Sequence, residues 1–155
     1  MVRAMLIAVL ITIGLQGNAQ TESRITRYNY FFLEAIRQQE MGNLAAAFDL
    51  LNHARDINPK APEVYYEIAG YYVAMQNSKA ARYNFEQAAK LAPDNSTYLE
   101  KLGQFYISQN NYEDALTTYE QLYTSNKTRE DVLQILYQLY GAQNNYKKMI
   151  EMIER

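Results

Sequence analysis

The chain has 155 residues, 48% of them apolar, which suffices for a folded domain with a hydrophobic core and excludes a disordered polymer. A net charge of −2 gives no electrostatic hold on nucleic acid. The absence of cysteine excludes disulfide frameworks, thiolate zinc sites, thiol nucleophiles and a lipidated N-terminal cysteine, and the single histidine, His53, leaves no His-based metal cluster.

The chain opens "MVRAMLIAVLITIGLQGNAQ". Arg3, then a mostly apolar run from Ala4 to Leu15, then small residues at Gly17 and Ala19 describe a secretory signal peptide over 1–19, cut between Ala19 and Gln20. The apolar run is short against the roughly 20 residues of a membrane span. An uncleaved N-terminal anchor is the alternative. The expected destination is outside the cytoplasm, in a Gram-negative periplasm, with membrane contact only transient and through this segment. Residues 20–27 form a lead-in.

From Tyr28 onward the chain aligns with itself every 34 residues, in rows 28–61, 62–95, 96–129 and 130–155. Phe31, Tyr65, Leu99 and Leu133 share a column, followed by Ala35, Ala69, Gly103 and Tyr137. Tyr72, Tyr106 and Tyr140 form another. In the second half of each row Ala47, Ala81, Ala115 and Met149 align, then Leu51, Phe85, Tyr119 and Ile153, then Ala54, Ala88 and Leu122. Positions 65, 68, 69 and 72 make one helical stripe, and 81, 85 and 88 a second. Each row is therefore two helices. The turns between them are Met41-Gly42-Asn43, Gln76-Asn77-Ser78, Asn110-Asn111 and Asn144-Asn145, rich in residues that tolerate the left-handed conformation at a helix end. The alanines mark places where two backbones approach, and Pro59 and Pro93 stop the second helix of their rows.

These rows resemble the tetratricopeptide repeat family. Row three reads Leu99-x2-Leu102-Gly103-x2-Tyr106, row two Tyr65-x2-Ile68-Ala69-x2-Tyr72, and the second halves read Ala81-x3-Phe85 and Ala115-x3-Tyr119. The resemblance implies an all-α fold, a right-handed α-α superhelix of about four helical hairpins with the last incomplete. It also suggests exported bacterial proteins with longer repeat arrays. Departures are Glu34 for Leu and Gln38 for Tyr in row one, Lys127 for the closing Pro in row three, and Met149 for a small residue in row four. The last row reaches only Arg155, and Tyr146, Met149, Ile150 and Ile153 form an apolar stripe with no following helix. The expectation is that the natural chain continues, or that a partner or a second copy covers this end.

No catalytic constellation is visible. His53 sits mid-helix facing water, and Glu113-Asp114 and Glu130-Asp131 fall near helix starts, where negative charge favours the dipole. There is no phosphate-binding glycine loop and no Gly-x-Ser-x-Gly elbow. Lys147-Lys148 is the only adjacent basic pair. The reading is a non-enzyme without cofactor, metal or nucleic acid. The tyrosines, 15 against no tryptophan, read as amphipathic packing residues rather than stacking platforms, with glycan capture a weaker alternative.

The resemblance places first helices on an inner curve that binds peptides. The residues beside the packing stripe are Phe32, Ile36 and Gln39 in row one, Tyr66, Gly70 and Val73 in row two, Glu100, Gln104 and Ile107 in row three, and Gln134, Gln138 and Gly141 in row four. Some relatives clamp a peptide's terminal carboxylate with Lys and Asn at the places held here by Phe32 and Ile36, so that clamp is not expected. The function expected is a periplasmic protein-interaction scaffold that takes a peptide or partner protein in this groove. The alternative is the sensing or recruiting front of a longer signalling or catalytic protein.

Overall fold

A computed structural model describes residues 2–125 and 127–153, with side chains for 21–125 and 127–152. Among the described residues there are eight helices and no strand: α1 Val2–Glu40, α2 Leu44–Ile57, α3 Pro62–Ala74, α4 Ser78–Leu91, α5 Ser96–Ser108, α6 Tyr112–Ser125, α7 Glu130–Ala142 and α8 Tyr146–Ile153. The fold is all-α, and α1 packs on α2, α5 on α6 and α7 on α8. The chain divides into two compact units at Ile68/Ala69, inside α3.

The hairpin turns keep the 34-residue interval in their backbone. Gly42, Gln76, Asn110 and Asn144 all lie in the left-handed region, at φ of 79°, 57°, 57° and 56°. Each turn closes with the same pair of bonds. In the second, Asn77 N–H reaches Tyr72 O at 2.9 Å and Gln76 N–H reaches Val73 O at 3.0 Å; in the third, Asn111 N–H reaches Tyr106 O at 2.9 Å and Asn110 N–H reaches Ile107 O at 2.9 Å. This is the Schellman arrangement, which satisfies carbonyls that a helix end leaves open. In the second turn the left-handed residue is Gln76, not the neighbouring Asn77. Asn77 is occupied one step later, its side-chain oxygen accepting from Ala80 N–H at 3.1 Å as the cap of α4. Asn111 and Asn145 do the same for α6 and α8, from Asp114 N–H at 3.4 Å and Lys148 N–H at 3.3 Å.

In the first unit, Ala35, Ala47, Leu51 and Ala54 are fully buried between α1 and α2, and Val64 and Ile68 of α3 are equally buried. Tyr65 is also buried and donates to Pro59 O at 3.1 Å, so its phenol ties α3 to the loop that precedes it. Arg24 donates to Ile57 O at 2.7 Å, at the last turn of α2, where a cation complements the helix dipole. Pro59 is exposed and follows the end of α2. The signal-peptide residues, including the Ala19–Gln20 junction, have side chains outside the described residues. Among the described residues no helix is long and apolar enough to cross a membrane.

In the second unit the packing columns are buried at Ala69, Ala81, Phe85, Ala88, Leu102, Gly103, Tyr106, Ala115 and Tyr119, while Tyr72 is half-buried. The glycine at 103 has a steric cause. A Cβ there would stand 2.6 Å from Cε2 of Tyr119, so the α6 ring occupies the space a side chain would need. Tyrosines also tie successive hairpins. Tyr106 on α5 donates to Glu86 Oε1 on α4 at 2.8 Å, and Tyr140 on α7 donates to Glu120 on α6. Burial, then the bond to Glu86, pushes the Tyr106 phenol well above its usual range. Pro93 is exposed beyond α4.

Row four departs from the column pattern. Tyr137 stands where the other rows have a small buried residue, and it is 43% exposed. Met149 is half-buried, its Cε 3.6 Å from where a Cβ on Gly141 would lie. Tyr146 and Ile150 are exposed on α8, and the side chain of Ile153 lies outside the described residues.

Candidate functional site

The first unit carries Phe32, Ile36, Gln39 and Tyr66. Phe32 and Ile36 are half-buried, and the Phe32 ring stacks on Tyr28 with centroids 5.9 Å apart. Tyr28 in turn donates to Glu63 Oε1 at 2.5 Å. Phe32 is thus part of an intramolecular stack and not a free anchor. Burial raises the Glu67 carboxyl, and the nearby Gln39 amide offsets part of that rise. Burial first, and the Glu67 charge second, also raise the Tyr66 phenol. His53 is exposed, with its ring 5.0 Å from that of Phe31.

The second unit holds a cleft of about 350 Å³ lined by Gly70 and Val73 of α3, Phe85 of α4, and Lys101, Gln104, Phe105 and Ser108 of α5. Its floor is built from Phe85 and Phe105, whose rings touch at 5.4 Å between centroids and are 6% and 8% exposed. Val73 supplies an exposed apolar wall. Residues 101, 104, 105 and 108 stand at i, i+3, i+4 and i+7, so one stripe of α5 faces the cleft. Gly70 faces it from α3, and a Cβ there would meet nothing within 4 Å. Lys101 is exposed at the rim and makes no hydrogen bond or ion pair among the described residues. Gln104 donates to Glu100 Oε1 at 3.4 Å, and Ser108 donates to Phe105 O at 2.7 Å.

Three residues expected from the repeat register, Gly70, Val73 and Gln104, come together here. The others of this unit do not line the cleft. Glu100 turns to Arg129, whose two Nη atoms stand 3.0 and 3.1 Å from Glu100 Oε2. Arg129 also bonds Asp131, and those bonds hold the Asp131 carboxyl down at about 2. Ile107 is half-buried, while Gln134 and Gln138 are exposed on α7. The register missed Lys101, Phe105 and Ser108. The signal that finds them is the stripe on α5 next to the one chosen, displaced by about one residue.

A second concavity lies at α6–α8, with Glu120, Tyr123, Tyr140 and Lys148 on its walls. Glu120 and Tyr140 are bonded to each other, and Lys148 lies 3.8 Å from Glu151, so its polar groups are engaged. Among the described residues, no group of three or more His, Asp or Glu side chains is placed to hold a metal.

No curated protein matches the chain. Residues 72–139 match the family model for the tetratricopeptide repeat. Among solved structures, MamA is similar over 82% of this chain and 74% of its own, with TM-score 0.67 and 16% identity. YrrB, described as a TPR protein with an unusual peptide-binding site, is similar over 79% and 63%, with TM-score 0.66 and 16% identity. The first TPR of Spaghetti (RPAP3), solved bound to the HSP90 peptide SRMEEVD, is similar over 77% and 97%, with TM-score 0.62 and 15% identity. Identities this low establish the fold alone. The 34-residue columns and the matched segment agree with that fold: residues 72–139 are similar to the tetratricopeptide repeat, and the chain shares the all-α fold of these structures.

Proposed function

We propose that this chain is a non-catalytic protein-interaction scaffold of the periplasm, and that it holds a peptide segment of a partner protein against the first helices of its hairpins. The observation that carries this reading is the cleft of the second unit, where Gly70, Val73 and Gln104 meet over an aromatic floor. Two rings in contact at the bottom of an open apolar hollow bury a guest side chain at a gain of about 1.5–3 kcal/mol. Around them, Gln104 and Ser108 supply polar groups for a peptide backbone. Two similar structures are described as a peptide complex and as a protein with a peptide-binding site, which supports the same use of the fold here. The export half of the proposal rests on the opening segment, with its basic start, apolar run and Gly17/Ala19 ending.

A photo-crosslinking amino acid tests the binding half. Placed at Gln104, it is expected to capture a partner segment in cells, while the same group at Tyr83, exposed on α4 and absent from the cleft, captures none of it. Equal capture at both positions overturns the assignment of the surface. For the export half, N-terminal sequencing of the cellular protein is expected to begin at Gln20 in a periplasmic extract; recovery only from cytosol defeats it.

A further inference from the structure

The place taken by Gly70 is filled by Ile36 in row one, Gln104 in row three and Gln138 in row four. Gly70 has no visible structural reason to be glycine. It lies inside α3, outside the positive-φ set, and a Cβ would meet nothing within 4 Å. Glycine in a helix interior is less stable than alanine. It lines the cleft that holds Phe85 and Phe105, and its missing side chain leaves that wall of the hollow open.

We infer that Gly70 is the specificity-determining residue of this cleft, that the cleft admits one apolar side chain of an extended peptide, and that Lys101 selects a peptide carrying an Asp or Glu next to that side chain. This deepens the scaffold reading above and rests on it. The volume, about 350 Å³, is at the low end for ligand sites, so it takes a side chain and not a folded surface. Apolar floor and wall fix the character of the guest. Charge complementarity fixes its neighbour, because Lys101 is the only charged residue lining the cleft and is unpaired among the described residues. Glu100, the carboxylate next to Lys101 in sequence, is bonded to Arg129 instead.

The test selects a library of capped random heptapeptides on the full chain, and then measures the enriched peptides by fluorescence polarisation. Enrichment of Leu, Ile, Met or Phe within two positions of Asp or Glu is expected. Gly70→Leu should weaken those peptides by about tenfold or more, the loss of one buried apolar side chain. The thermal midpoint of Gly70→Leu should stay at or above that of the parent, which separates blocking from unfolding. Lys101→Glu should weaken them by roughly twofold to fivefold, the range of an exposed ion pair, and remove the acidic preference. Unchanged affinity in Gly70→Leu, or enriched peptides with no acid, overturns the inference. A requirement for a free C-terminal carboxylate overturns the assignment to an acidic side chain. Failure to enrich any peptide overturns the scaffold reading itself. Enriched peptides that respond to Phe32→Ala but not to Gly70→Leu leave that reading standing and end this one.

Discussion

Two glycines on first helices of the second unit invite comparison. Gly103 and Gly70 both sit inside a helix, where glycine is unfavourable. Gly103 is buried under the Tyr119 ring, and a Cβ would collide with it at 2.6 Å. Gly70 is exposed, and a Cβ would touch nothing. The first glycine lets two helices approach; the second leaves a hollow open to solvent. A repeat column can thus keep small residues for packing while a neighbouring column loses a side chain for binding.

The largest test of this contrast is Gly103→Ala. Forcing the Tyr119 ring aside is overpacking, expected to cost about 1–3 kcal/mol in a urea titration. A loss below a few tenths would mean the ring moves freely and the contrast is false. Tyr119→Phe probes the same contact from the other side. The Tyr119 hydroxyl is buried without a hydrogen-bond partner among the described residues, and burial raises its phenol to about 12. Removing it is expected to be neutral or to stabilise by about 1 kcal/mol, since an unsatisfied buried group carries a desolvation penalty. Gly70→Ala should act in the opposite direction to Gly103→Ala, stabilising by about 0.5–1 kcal/mol on helix propensity. Gln76→Gly should stabilise by about 1 kcal/mol, because a non-glycine residue in the left-handed region costs roughly that much.

The smallest effect is in pH. Asp131 has an ordinary value of 3.8 and is held at about 2 by Arg129 in the folded chain. A depressed carboxyl contributes stability that is present above its unfolded value and disappears as pH falls through the folded one. Thermal midpoints should therefore decline between about pH 4 and pH 2. Asp131→Asn should flatten part of that decline; an unchanged slope would show that the Arg129 cluster does not survive in solution. Glu34, held at about 2 by Arg37, works in the same direction. Glu67, raised chiefly by burial, works against it: its contribution is present at low pH and lost as pH rises through its folded value.

Periodicity made the hairpins legible because turn and packing residues recur at one interval and depend on local sequence. Ala47, Ala81 and Ala115 had to be small and are fully buried. The cleft was legible only in part. Gly70, Val73 and Gln104 were found by register, but Glu100 was drawn away by Arg129, 29 residues later and outside any helical stripe. Such a contact has no signature in spacing. Phe105 was missed because it serves two faces, packing on Phe85 while flooring the hollow. In row one, register placed Phe32 beside the packing stripe, and the structure stacks its ring on Tyr28.

The identical backbone closures at Gly42, Gln76, Asn110 and Asn144 have an evolutionary corollary. Because every hairpin brings its own finished corner, and the last three bring an asparagine that caps the second helix, excising one 34-residue block joins ends that already match. Gain or loss of whole hairpins thus needs no new corner chemistry, so an array of this kind can change length in single genetic steps, and the hollow beside Gly70 survives those that leave rows two and three adjacent.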